Sequence, residues 1–179
     1  MINRHSVLAV AAACCVFFSI PCLAANDFDT TRKILETAEK YIPSGSKLIV
    51  FNKTAQESQL TYVNEDKMTY YDLWFDLATL HLEKVKAQSS NIIGSTMTGK
   101  TEADIKAIIL AEYPQAKNIE VTTERDGVNA FYQAAFTTED YAGVLKLNPV
   151  TGAIGERCFD YTGAVVTEPI DGAKQSQTF

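Results

Sequence analysis

The chain has 179 residues, and its 22 acidic side chains outnumber 16 lysines and arginines, a formal net charge of −6 at pH 7. No basic cluster of the kind that grips phosphates occurs along it, which argues against nucleic acid and anionic membrane surfaces as partners. With about 150 residues left after a leader, the chain can hold one domain or two small ones.

Residues 1–25 have the three-part layout of a secretory signal: Arg4, an apolar run from Val7 to Phe18, and small residues at Ala24 and Ala25. The run is short for a membrane span. Lipidation is disfavoured, because Ala11-Ala12-Ala13-Cys14 lacks the aliphatic residue such a signal needs and Cys22 follows Pro21. Cleavage after Ala24 or Ala25 is expected, giving a periplasmic or secreted protein. It removes Cys14, Cys15 and Cys22 and leaves only Cys158, so a mature chain holds no internal disulfide and depends on a buried core. Cys158 itself reads as a small apolar side chain packed in a strand.

The next segment, 26–94, opens with a helix that Asp29 or Thr30 can cap and that runs to Ile42, where Pro43 stops it. Residues 95–165 repeat the plan. Thr101 caps a helix, with Asp104 completing a capping box, and Pro114 ends it. Strand-like runs follow at 117–124, 129–137, 141–148 and 153–161, separated by Arg125-Asp126-Gly127, Thr138-Glu139-Asp140 and Pro149-Val150-Thr151-Gly152. At a spacing of 71, Ile34 matches Ile105, Pro43 matches Pro114 and Val50 matches Val121. At a spacing of 72, Leu73 matches Leu145, Phe75 matches Leu147, Asp76 matches Asn148 and Leu82 matches Ile154. Trp74 to Lys84 therefore reads as an eroded copy of Lys146 to Glu156, with Leu80 in place of the turn glycine. The expected fold is α+β: two tandem units, each a helix packed on a three- to four-stranded antiparallel sheet, with residues 166–179 as a flexible tail.

The second unit, Thr101 to Tyr161, resembles a PepSY domain in its acidic-aliphatic helix ending at Tyr113-Pro114 and its final hairpin carrying Asn148-Pro149, Thr151-Gly152 and Ile154. The first unit looks like a divergent member of the same superfamily. The resemblance implies a non-catalytic extracytoplasmic module of bacteria, of the kind suspected of restraining peptidases. The tandem layout is also similar in architecture to the β-lactamase inhibitory proteins, although those carry disulfides.

Catalytic chemistry finds little to stand on. A cleaved chain keeps one histidine, His81, and one cysteine, Cys158, and pairing them would require final strands meeting edge to edge. One histidine argues against a transition-metal site, and no phosphate-binding glycine loop is present. Glu65-Asp66 and Glu139-Asp140 read as solvated turn acids, outside any calcium-loop spacing. No catalytic, cofactor-binding or metal-binding residue is expected, and no cofactor. The distinctive stretch is Met68 to Asp76. Strand alternation puts Tyr71, Leu73 and Phe75 on the core side and Tyr70, Asp72 and Trp74, the single tryptophan, on the other. Aromatics beside acids on a polar sheet face have the composition of a protein-binding hot spot. Burial between two docked units, or under Val165 and Val166, is the competing explanation. The expected function is a secreted or periplasmic protein-binding module, a peptidase inhibitor or regulator, with a structural or assembly role in the envelope as the alternative. The expected partner is a protein.

Overall fold

A computed structural model describes residues 25–162. The signal segment and the tail beyond Thr162 lie outside the described residues. The elements run α1 (Ala25–Ala38), β1 (Lys47–Lys53), β2 (Glu57–Asn64), β3 (Thr69–Asp76), β4 (Leu82–Ser89), α2 (Glu102–Glu112), β5 (Lys117–Asp126), β6 (Asn129–Thr137), β7 (Tyr141–Leu147) and β8 (Ile154–Tyr161).

The expectation of two tandem helix-on-sheet units is overturned. The strands form one eight-stranded antiparallel sheet in the order β1-β2-β3-β4-β8-β7-β6-β5, joined in the middle by β4 and β8. Lys84 to Gln88 pair with Asp160 to Glu156 across that seam. The physical reason is the edge-strand problem. Each half alone would end on a row of unpaired backbone donors and acceptors, and joining the two edges satisfies both. It also makes one core out of two thin ones.

Both helices lie on the same face of this sheet. Ile34, Ala38 and Tyr41 from the α1 region and Ile105, Ile109 and Tyr113 from the α2 region share one buried cluster with Leu60, Tyr71, Leu73, Phe75, Val85, Leu145 and Phe159. Aromatic rings stitch the cluster: Tyr41 meets Tyr161 edge-on at 5.9 Å across the seam, and within the second half Tyr113 meets Phe159 at 5.8 Å. Lys53 on β1 reaches Asp27 of α1.

Local chemistry explains the ends of elements. Thr101 caps α2 through Asp104 N–H, and the Asp104 carboxylate accepts back from the Thr101 backbone. Those bonds hold the Asp104 carboxyl below the usual carboxylate range. α1 differs from expectation: Asp29 and Thr30 lie inside it instead of capping it, and it ends at Ala38 rather than Ile42. Its last turn tightens, with Tyr41 N–H donating to Ala38 C=O at 2.9 Å, before Pro43. Among the described residues, no helix is long and apolar enough to cross a membrane.

The turns after β3 and β7 share one hydrogen-bonding plan. The Thr79 N–H donates to Asp76 Oδ1 at 2.6 Å, as the Thr151 N–H donates to Asn148 Oδ1 at 3.0 Å. Leu80 and Gly152 close the two turns at φ +59° and +76°.

Candidate functional site

Because α1 and α2 sit on one side, no helix among the described residues covers the opposite, helix-free face of the sheet. Its rows follow from the strand register. One row runs Gln59, Trp74, Lys84, Asp160 and Ala142, and the next runs Thr61, Asp72, Lys86, Cys158 and Val144. Tyr71, Leu73 and Phe75 point into the core, so Tyr70, Asp72 and Trp74 share the helix-free face. Trp74 is not sandwiched between two units, because the halves meet edge to edge instead of face to face. Tyr70 is 53% exposed, and Trp74 is partly exposed. Asp72 is committed locally, its Oδ1 accepting the Thr61 hydroxyl at 2.6 Å.

Trp74 also lines a shallow cleft of about 560 Å³ with Glu57, Glu83, Lys84, Lys86 and Asp160. Four neighbouring strands contribute: β2, β3, β4 and β8. Tyr70 and Asp72 lie outside it. The cleft's acids and lysines escape a reading of β3 alone: Glu57, Glu83, Lys84 and Lys86 come in with β2 and β4, and Asp160 only when β8 lies beside β4. One signal for that pairing exists in the sequence. Lys84 and Lys86 on β4 complement Glu156 and Asp160 on β8.

The centre of the face is a charge ladder. Lys84 pairs with Asp160 at 3.5 Å, while Glu156 takes Lys86 at 3.3 Å and Lys146 at 2.9 Å. Burial pushes the Glu156 carboxyl up, but the hydrogen bond and charge of Lys146, with Lys86 behind them, outweigh it and hold the group below its ordinary value. Beyond the ladder, Lys146 Nζ lies 5.9 Å from the centre of the Phe131 ring.

Cys158 is not buried in the core. It is half-buried on the helix-free face between Lys86 and Val144. Burial pushes its thiol up, which disfavours the nucleophilic thiolate. The edge-to-edge meeting that a Cys158–His81 pair would need does occur, but the register separates the two. Cys158 pairs with Lys86, five residues from exposed His81, roughly 16 Å along a strand. Among the described residues, no group of three or more His, Cys, Asp or Glu could hold a metal ion.

A second hollow, about 480 Å³, lies on the helix side, where Arg157 lines it with Lys67, Tyr71, Ser89, Asn91 and Glu112. Its polar groups serve the fold. Arg157 donates to Glu112 at 3.1 Å and to the Tyr113 hydroxyl at 3.0 Å, and Asn91 donates to Ile154 C=O.

No protein-family model matches the chain, and no curated protein matches it in sequence. Among solved structures it is similar to a DUF2874 family protein from Bacteroides uniformis, at 12% identity over 81% of this chain and 97% of that one, with a TM-score of 0.28. A likeness that loose carries no argument about fold or function.

Proposed function

We propose that this chain is a non-catalytic protein-binding module of the periplasmic or secreted space, that its helix-free sheet face is the binding surface, and that its target is a peptidase it restrains. The observation that carries the reading is the face itself. A broad sheet surface that no described helix covers presents Trp74 and Tyr70 among polar neighbours, and aromatic anchors of this kind supply most of the energy in protein interfaces. The PepSY resemblance of Thr101 to Tyr161 makes a peptidase the first class of partner to test, and the signal-like residues 1–25 point to the compartment.

The test is a panel of purified secreted and envelope peptidases assayed with and without the mature protein. At least one is expected to be bound and slowed, and Tyr70→Ala and Trp74→Ala are each expected to weaken that binding about tenfold or more. A panel in which no peptidase is bound or slowed refutes the peptidase target. Inhibition that survives both substitutions refutes the choice of face.

A further inference from the structure

We infer that the Trp74 cleft receives a cationic side chain, an arginine or lysine, presented by the partner protein. The inference rests on the helix-free face being the binding surface and goes further by assigning the chemistry of what enters it.

The charges lining the cleft are unevenly satisfied. Its two lysines are committed to β8, Lys84 to Asp160 at 3.5 Å and Lys86 to Glu156 at 3.3 Å. Both ammonium groups are thereby held toward one flank. Glu57 of β2 and Glu83, at the irregularity where β4 slips against β3, stand on either side of the strand that carries Trp74 and carry no ion pair or side-chain hydrogen bond to another described residue. The Trp74 indole N–H is likewise without a partner among the described residues. The lining therefore places an aromatic ring beside two uncommitted carboxylates.

The other half of the same face shows what such an aromatic accepts. Lys146 occupies in β7 the position that Trp74 occupies in β3, and its ammonium lies 5.9 Å from the Phe131 ring while also bonding Glu156. That half supplies its own cation to its own aromatic. Around Trp74 no described lysine or arginine does so. A partner's guanidinium fits both requirements, stacking on the indole while its fork of donors meets Glu57 and Glu83. An anionic or purely apolar side chain would leave the carboxylates desolvated and unpaired, at a cost.

The test uses Trp74 as its own reporter, since it is the single tryptophan of the chain. The mature protein is titrated with a short peptide carrying two adjacent arginines and with its counterpart carrying two glutamates. The arginine peptide is expected to change the fluorescence saturably. Its affinity should fall about tenfold in the Glu57→Gln/Glu83→Gln double variant and fall again in high salt, with no response to the glutamate peptide. Both substitutions lie on the partly exposed or exposed surface, and circular dichroism confirms that the variant is folded. Three results overturn the proposal: no saturable response, an equal response to both peptides, or a response untouched by the double variant. A response that appears only after Lys174→Gln means that the chain's own terminal lysine fills the cleft, and also overturns it. So does a fluorescence change on concentrating the protein alone, accompanied by dimers in sedimentation. If the arginine peptide fails while Tyr70→Ala still abolishes binding to a slowed peptidase, the face remains the binding surface and only the cationic assignment falls.

Discussion

Gly152 closes the β7–β8 turn at φ +76°, and a Cβ built there would stand 2.4 Å from Ile108 Cδ1 and 2.9 Å from Lys100 Cε. The backbone favours glycine, while the two side-chain ends nearby can swing aside. Gly152→Ala is expected to cost about 1–2 kcal/mol in denaturant unfolding, mainly as left-handed strain. A loss within error of zero would show that the turn relaxes freely. Its counterpart Leu80 adopts the same region at φ +59°, and there the side chain packs against the core, which offsets the strain. Ser58 has the opposite fault. It is fully buried, and its hydroxyl has no partner among the described residues. Ser58→Ala removes that orphan and should raise stability by about 1 kcal/mol, whereas a loss of that size would reveal a partner for the hydroxyl. Tyr62 gives a pH signature. Burial, with the Glu39 carboxylate adding to it, pushes the phenol up to about 12. An unfolded tyrosine ionises near pH 10, so this group's stabilisation is whole below about pH 10 and is lost as the pH climbs toward 12. Alkaline unfolding followed by circular dichroism should show that slope in the wild type and a shallower one in Tyr62→Phe. Identical slopes would mean that the phenol is free to ionise in the folded protein.

The two outer strands of the sheet are unlike. β5 is an edge rich in charge, with Lys117, Glu120, Glu124 and Arg125, whereas β1 exposes Leu48, Ile49 and Val50 between Lys47 and Lys53. A bare apolar edge is a template for pairing with other chains, and β1 blunts it only by a bulge at Ile49 and by its flanking lysines. Ile49, at the bulge and 52% exposed, can be changed without opening the core. Ile49→Lys is therefore expected to slow aggregation after partial heating, read by light scattering, while shifting stability by less than about 0.5 kcal/mol. Unchanged aggregation would move the liability to another segment. Elements like these were largely legible in the sequence because their causes are local. The Thr101–Asp104 box, the Asp76 and Asn148 turns and the in–out alternation of β3 each depend on residues within a few positions of one another. The α1 boundary was not, because Asp29 and Thr30 are credible caps that lie inside the helix, which already runs through Asp27 and Phe28.

Lateral order within the sheet was the part that local pattern could not supply. Alternation along Leu82–Ser89 shows which side chains are buried but not which strand lies alongside. The β4–β8 seam and the Asp160 wall it adds to the cleft therefore emerge only with the whole molecule, although Trp74 itself was readable from β3. Cys158 was misplaced for the same reason: alternation alone does not say whether the face a residue shares carries helices. The seam also decides how the molecule should unfold. Val85, Ala87 and Phe159 are buried on its core side, Tyr161 meets both Tyr41 and Tyr141, and the Lys84–Asp160 and Lys86–Glu156 ion pairs span its other side. Either half separated from the other would expose a central strand edge and half of this cluster. The protein should accordingly melt in one calorimetric transition whose measured enthalpy equals its van't Hoff enthalpy. Ala87→Asp, which buries an unpaired charge in the seam, should lower the midpoint of that single transition without splitting it. Two resolved transitions in the wild type, or a variant in which one half melts early while the other keeps its midpoint, would mean that the continuous sheet is not a single cooperative unit.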